Sequence, residues 1–169
     1  MLEIRLEESQ DQNAIHHLNL AAFENGPEAG LVDALRSSCM EYLAFVAVED
    51  GAVVGHILFT PVTVDGSDAT GMGLAPMAVL PSHQRKGIGS RLARHGLDHL
   101  RLSGCPFVIV LGHPEYYPRF GFEPASTYRL VSQWEGVPDD AFMVAVLNAD
   151  ALPKDGGTAR YRDEFDDAM

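Results

Sequence analysis

The run Gln84-Arg85-Lys86-Gly87-Ile88-Gly89 follows an apolar segment, Met77-Ala78-Val79-Leu80-Pro81, and leads into Ser90-Arg91-Leu92-Ala93. No other stretch constrains the fold as strongly. Two glycines sit where a strand gives way to a helix. The first turn of a helix carries unpaired N–H groups and the positive end of the helix dipole. Glycine lets a large anion approach that backbone, and two adjacent cations add favourable charge. The pattern reads as a phosphate cradle inside a strand–helix–strand crossover that spans residues 74–111.

The elements around this crossover follow from periodicity. Leu2-Glu3-Ile4-Arg5-Leu6 alternates as a strand. Ser9 or Asp11 caps a helix that runs to about Phe23, and Asn25-Gly26-Pro27 breaks it. A second helix covers about 28–38, with Leu31, Val32 and Leu35 on its apolar face. Asp50-Gly51 joins two apolar runs, 43–48 and 52–59, as a tight hairpin. Pro76 is unusual within a strand at 73–79 and implies an edge, a bulge or an interrupted ladder.

The clearest helix is 85–103. Ile88, Leu92, Ala93, Gly96, Leu97 and Leu100 share one side of it, and Arg91, Arg94, Asp98 and Arg101 the other. Phe107-Val108-Ile109-Val110-Leu111 is a continuous apolar run, hence a buried strand. Gly112-His113-Pro114 turns the chain, and Glu115 to Phe120 forms a short helix closed by Gly121. Short strands at 122–124 and 141–147 complete an α+β chain. The expected division is a domain at 1–152 and an acidic, loosely docked tail at 153–169, with Tyr161 and Phe165 as anchors.

Charge narrows the function. The chain of 169 residues has a formal net charge of −12, which disfavours nucleic acid as a partner because phosphate contacts dominate that affinity. Yet five of its twelve cations, Arg85, Lys86, Arg91, Arg94 and Arg101, lie in 85–101 beside a single acid, Asp98. A local basic stretch in an acidic protein favours a compact polyanion there and a cationic substrate elsewhere. No apolar stretch approaches the roughly 20 residues needed to span a bilayer, so no membrane partner is expected. Cys39 and Cys105 form no CxxC pair, which fits a reduced, cytoplasmic setting. His95 and His99 have metal-ligand spacing on the helix but no evident third ligand, so no metal is expected.

Two common phosphate loops are ruled out. There is no GxxxxGK[ST]. A dinucleotide fingerprint would need a third glycine where Leu92 stands, and a run of parallel strands that this chain lacks. The remaining pattern, apolar-x-Val-x-Pro followed by Gln-x-x-Gly-x-Gly, resembles the central motif of the GCN5-related N-acetyltransferase (GNAT) superfamily. Tyr116-Tyr117-Pro118-Arg119-Phe120-Gly121-Phe122 resembles a second element of that superfamily. The phrase from Leu111 to Tyr117 and the strand at Phe142-Met143-Val144 look like the bacterial branch of predicted acetyltransferases similar to YhbS. The resemblance covers about 1–150.

The resemblance implies a single mixed, mostly antiparallel sheet that splays at the cradle strand and is flanked by helices. It implies acetyl-CoA as co-substrate, with no metal, and direct acetyl transfer to an amine of a small molecule or peptide in a ternary complex. Backbone N–H groups from Arg85, Lys86, Gly87, Ile88, Gly89 and Ser90 would hold the pyrophosphate. Met77 and Val79 would offer main-chain groups to pantetheine, and Ala78 or Val79 an N–H to the oxyanion. Tyr117 occupies the position of the acid that protonates the thiolate. Similar proteins are often dimers, so a homodimer is an expectation of the resemblance alone.

The base is less determined. Segments 73–79 and 107–111 contain no acid, where many relatives place a glutamate. His113 lies near Tyr117 in sequence and is the first candidate, with Glu115 and His56 behind it. Trp134, with Gln133, either lines the acceptor pocket or packs on the surface, and residues 23–36 are the usual source of acceptor specificity in similar folds. Two rival functions stay open: a CoA-binding sensor without catalysis, and an acyltransferase with another acyl donor or an oxygen acceptor.

Overall fold

The structure is a computed structural model that describes the backbone of residues 1–168 and the side chains of residues 1–166. In chain order its strands are β1 (Leu2–Leu6), β2 (Leu43–Glu49), β3 (Ala52–Val64), β4 (Thr70–Val79), β5 (Phe107–Leu111), β6 (Glu123–Pro124), β7 (Leu130–Ser132), β8 (Phe142–Val146) and β9 (Gly157–Arg160). Its α-helices are α1 (Gln12–Ala22), α2 (Glu28–Ser38) and α3 (Ile88–Leu102). The sheet is mixed and mostly antiparallel, and it forms two compact units. One comprises residues 1–60, 75–96 and the segment from Asp163; the other comprises 61–74 and 97–162.

In the first unit the strand order is β1-β2-β3-β4. β1 pairs antiparallel with β2 from Leu2↔Glu49 to Leu6↔Phe45, and β2 with β3 from Leu43↔Phe59 to Glu49↔Ala52. The expected turn is there, with Asp50 at φ 53° and Gly51 at φ 82°, the backbone twist that a two-residue hairpin needs. α3 packs on the face of β3 that carries Gly55 and Phe59. A Cβ on Gly55 would lie 3.0 Å from Leu92 and 3.1 Å from Ile88, and one on Gly96 would overlap the Phe59 ring. These two glycines let α3 sit close against the strand. The other face of β3 carries His56 and Leu58, both buried. It lies on the side of α2, because Arg36 of α2 shares a carboxylate with His56.

In the second unit the last part of β3 pairs with β9, and β9 runs parallel to β7. β4 pairs parallel with β5 at Met72↔Val108, Gly73↔Ile109 and Leu74↔Val110. Parallel pairing requires a crossover, and α3 supplies it, as the sequence predicts. β5 pairs antiparallel with β8, and β8 with β6. Phe107, Ile109, Leu130 and Met143 are fully buried here.

Some boundaries differ from expectation. α3 begins at Ile88, three residues later than its periodicity implies, because Arg85 and Gly87 take left-handed backbone at φ 65° and 82°. β8 is not the last strand, since Gly157–Arg160 forms β9. The segment expected as a loosely docked tail is therefore built into the sheet for four residues. Tyr161 and Phe165 are buried at 6% and 3% exposure, and Ser38 donates to Glu164 at 2.7 Å.

Candidate active site

The cradle residues lie together in the first unit. β4 ends at Val79, and the Leu80 N–H donates to the Val54 carbonyl at 2.9 Å, which holds the end of β4 against β3. A short 3-10 turn at Pro81–His83 follows, and His83 reaches Glu49 at 3.1 Å. The Gln84 side chain then turns back and donates its Nε2 to the Val79 carbonyl at 3.0 Å. Glutamine at this position thereby clamps the loop to the strand it leaves.

Arg85 and Gly87 in left-handed backbone bracket Lys86. Alternation of left- and right-handed residues turns successive N–H groups toward one side, the geometry of an anion nest. Arg85, Lys86 and Gly87 are exposed, whereas Ile88 is buried at 5% and anchors the first turn of α3. The Arg91 N–H closes on the Gly87 carbonyl at 3.1 Å, so Gly87 caps the helix and the N–H groups of 88–90 precede the first intrahelical bond. Met77 and Val79 are half-buried and Ala78 is buried at 2%. The peptide bond Ala75–Pro76 is cis. The ladder between β4 and β5 ends at Leu74, two residues before Pro76, which is where proline's missing N–H predicts an interruption.

The tyrosine element lies in the second unit. Tyr117–Phe120 is a 3-10 turn closed by Gly121 at φ 96°. The Tyr117 ring meets Tyr116 at 5.1 Å and Phe122 at 5.7 Å between centroids, both edge-on. Burial, with a small contribution from Tyr116, pushes the Tyr117 hydroxyl up to about 12. Tyr116 points elsewhere: it stacks edge-on with Phe120 at 5.2 Å and lies under the Arg119 guanidinium at 4.5 Å.

His113 stands at the start of the turn that carries Tyr117. Its carbonyl accepts the N–H groups of Tyr116 and Tyr117 at 3.1 and 3.3 Å. Its side chain is exposed, and its imidazole makes no hydrogen bond or ion pair among the described residues. The main chain of His113 therefore shapes the turn that carries Tyr117. Glu115 is exposed beside it. Trp134 packs on Tyr161 with centroids 5.3 Å apart, and Gln133 accepts the Tyr161 N–H at 2.6 Å. Tyr161 is buried among these groups, which raises its hydroxyl as well. His95 packs edge-on against Phe45 at 4.7 Å. Among the described residues no group of three or more His, Cys, Asp or Glu is placed to hold a metal ion, and no helix is long and apolar enough to cross a membrane.

One cluster in the first unit centres on an acid that the motifs do not reveal. Glu7, just after β1, is 5% exposed and accepts from Arg36 Nη2 at 2.7 Å, His56 Nε2 at 3.0 Å and the Tyr42 hydroxyl at 3.2 Å. These donors outweigh its desolvation and hold its carboxyl at about 2. His56 is fully buried, which lowers its tendency to take a proton despite Glu7. A histidine inside the apolar run 52–59 is the one trace of this cluster in the sequence, because a buried polar ring needs a partner.

The Acetyltransferase (GNAT) family model matches residues 12–122. The chain is 39% identical over 163 residues to the uncharacterized N-acetyltransferase YhbS of Escherichia coli strain K12, covering 96% of this chain and 97% of the relative. The crystal structure of YhbS from Escherichia coli in complex with CoA superposes with a TM-score of 0.92 at 38% identity, over 98% of this chain and 92% of that one. A GNAT family acetyltransferase from Brucella melitensis, solved in complex with acetyl-CoA, superposes with a TM-score of 0.82 at 35% identity, over 98% of both chains.

Proposed function

The chain belongs to the acetyltransferase (GNAT) family and is an acetyl-CoA-dependent acetyltransferase; on that premise we propose that it transfers the acetyl group to a primary amine by direct attack within a ternary complex. The observation that carries the reading is the left-handed pair Arg85 and Gly87 in front of α3. It gives the chain a preformed row of N–H donors, the recognition element that a pyrophosphate requires. The residues present fit CoA, and the two relatives solved with CoA and acetyl-CoA support the same ligand.

In this reading the N–H groups from Arg85 through Ser90 hold the pyrophosphate, and Arg85 and Lys86 add charge around it. Met77 and Val79 present main-chain groups to the pantetheine amides, as an added strand would. Ala78 or Val79 donates to the oxyanion of the tetrahedral intermediate. Tyr117 protonates the departing thiolate. A hydroxyl held at about 12 stays protonated throughout the physiological range, as a proton donor to a thiolate must. Neither cysteine lies in these elements, which favours direct transfer over an acyl-enzyme. The acceptor is a small-molecule or peptide amine, and the acidic chain favours one that carries positive charge.

Two measurements test this. Calorimetric titration with acetyl-CoA should saturate; absence of saturable binding refutes the cradle. Thiol release over a panel of small amines, aminoglycosides and peptide N-termini should identify a substrate. Binding without turnover across the panel would favour a CoA sensor.

A further inference from the structure

β1 stands at one end of the strand order, and no strand pairs with its outer side among the described residues. Its register shows which groups that side offers. The Glu7 N–H donates to the Ala44 carbonyl at 2.9 Å, and this pair continues the β1–β2 register beyond Leu6↔Phe45. Hydrogen-bonded pairs alternate along an antiparallel ladder. Glu3, Arg5 and Glu7 therefore direct their main-chain groups to β2, whereas Leu2, Ile4 and Leu6 turn theirs to the open side. The Leu6 carbonyl also accepts from Arg5 Nη1 at 3.0 Å, which leaves it a second lone pair.

Such an edge is ordinarily blunted by a proline, a bulge or an uncompensated charge. β1 has no proline, and its register with β2 runs without a shift. Its two charges, Glu3 and Arg5, are opposite in sign and stand symmetrically about Ile4. The strand Leu2-Glu3-Ile4-Arg5-Leu6 is thus complementary to its own reverse. A second copy turned about a two-fold axis through Ile4 sets Leu2 against Leu6, Ile4 against Ile4 and Glu3 against Arg5.

Both faces of the strand agree with this arrangement. Leu2, Ile4 and Leu6 share one face, and Leu6 is 52% exposed. On the other face the Glu3 side chain is 68% exposed and lies 3.8 Å from Nε of its own Arg5. Asp11 holds the Arg5 guanidinium through Nη1 and Nη2 at 2.8 and 3.0 Å, which leaves Nε on the side of Glu3. Neighbouring registers are disfavoured. An axis moved to Glu3 sets Glu3 against Glu3, and one moved to Arg5 sets Arg5 against Arg5. Like charges directly opposite each other destabilise a strand pair.

We infer that the outer edge of β1 is a homodimer interface, in which two copies pair their β1 strands antiparallel about Ile4 and join the sheets of their first units. The contact is isologous, so it closes at two copies. It is independent of the acetyl-transfer reading.

The test is sedimentation equilibrium of the full chain over a concentration series, for the native sequence and two variants, with circular dichroism to check each fold. The native chain should follow a reversible monomer–dimer equilibrium. Glu3→Arg changes an exposed side chain and sets an arginine against Arg5 twice per dimer. It should raise the dimer dissociation constant by about tenfold or more. Ile4→Pro removes an N–H that faces outward, so the β1–β2 ladder keeps its bonds and the dimer is lost. Should Ile4→Pro fail to fold, amide exchange of the native chain takes its place. The Leu2, Ile4 and Leu6 amides should gain protection as concentration rises. A native chain that stays monomeric throughout the series overturns the inference. A dimer equally tight in Glu3→Arg, or one whose Leu2, Ile4 and Leu6 amides gain no protection, uses another surface and overturns it too. No arm involves acetyl-CoA, so each of these failures leaves the transfer reading untouched.

Discussion

The Tyr117 ring lies directly over the bare Cα of Gly112, so that a Cβ on Gly112 would come within 2.9 Å of Cδ2 and closer still to Cε2. The backbone of Gly112 is tied down by its N–H bond to the Ala141 carbonyl at 3.0 Å, and the ring is confined by Tyr116 and Phe122. The glycine thus sets the depth at which the tyrosine sits. Gly112→Ala should force the ring outward, at a cost of about 1–3 kcal/mol of stability for an overpacked site. Turnover should fall while acetyl-CoA affinity, measured by calorimetry, stays constant. Equal turnover with equal stability would show that ring depth has no role.

Removal of the Tyr117 hydroxyl asks a sharper question than displacement of its ring. Tyr117→Phe keeps the edge-on packing and deletes only the proton. A general acid contributes typically 10²–10⁴-fold, so kcat should drop by about that range with acetyl-CoA binding preserved. The loss should be smaller for acyl donors whose thiol leaves easily without a proton. A fully active Tyr117→Phe enzyme removes this residue from the acid role.

Gly89 stands in the first turn of α3, where aspartate is a favourable residue for the helix itself because it complements the dipole. Gly89→Asp should therefore fold as well as the native chain by circular dichroism. It should nonetheless lose acetyl-CoA affinity by about 100-fold or more, since its charge opposes the pyrophosphate and displaces at least one charge-assisted hydrogen bond. Unchanged affinity would place the pyrophosphate elsewhere.

The sequence carries these elements unevenly, for physical reasons. The cradle and the Asp50-Gly51 turn are legible because the conformations they need are local, and only certain residues adopt them at low cost. Even there the start of α3 is displaced, because helical periodicity at 85–87 says nothing about Arg85 at φ 65°. β9 is not legible, since Gly157-Thr158-Ala159-Arg160 has no period of its own and becomes a strand only by pairing with β3 and β7. The Glu7 cluster is hidden for a related reason: its donors Arg36, Tyr42 and His56 lie 29, 35 and 49 residues away. Nothing at Glu7 distinguishes it from the exposed acids around it until the strands are paired. His113 shows the converse, since its proximity to Tyr117 is local and its carbonyl accepts the Tyr116 and Tyr117 N–H groups within one turn.

The same cluster fixes how stability responds to acid. Glu7 is held at about 2 against an ordinary value of 4.5, so its contribution is complete above pH 4.5 and is lost as pH falls through the folded value. His56 is also lowered, from 6.5, by burial. The unfolded chain therefore takes up a proton at His56 before the folded one does, and stability begins to decline once pH drops below 6.5. Asp11, lowered by its bond to Arg5, acts in the same direction as Glu7. The Glu7 shift corresponds to roughly 3 kcal/mol, a magnitude that also fits the loss expected when a buried ion pair is left with one partner. Thermal melts of the native chain from pH 8 downward should show Tm falling below pH 6.5 and most steeply below 4.5. Glu7→Gln should be less stable by about that amount at pH 7, with the two curves converging as pH approaches 2, because the native carboxyl becomes neutral there too. A constant gap between the curves at every pH would mean that Glu7 stabilises the fold by packing and hydrogen bonding alone, without its charge.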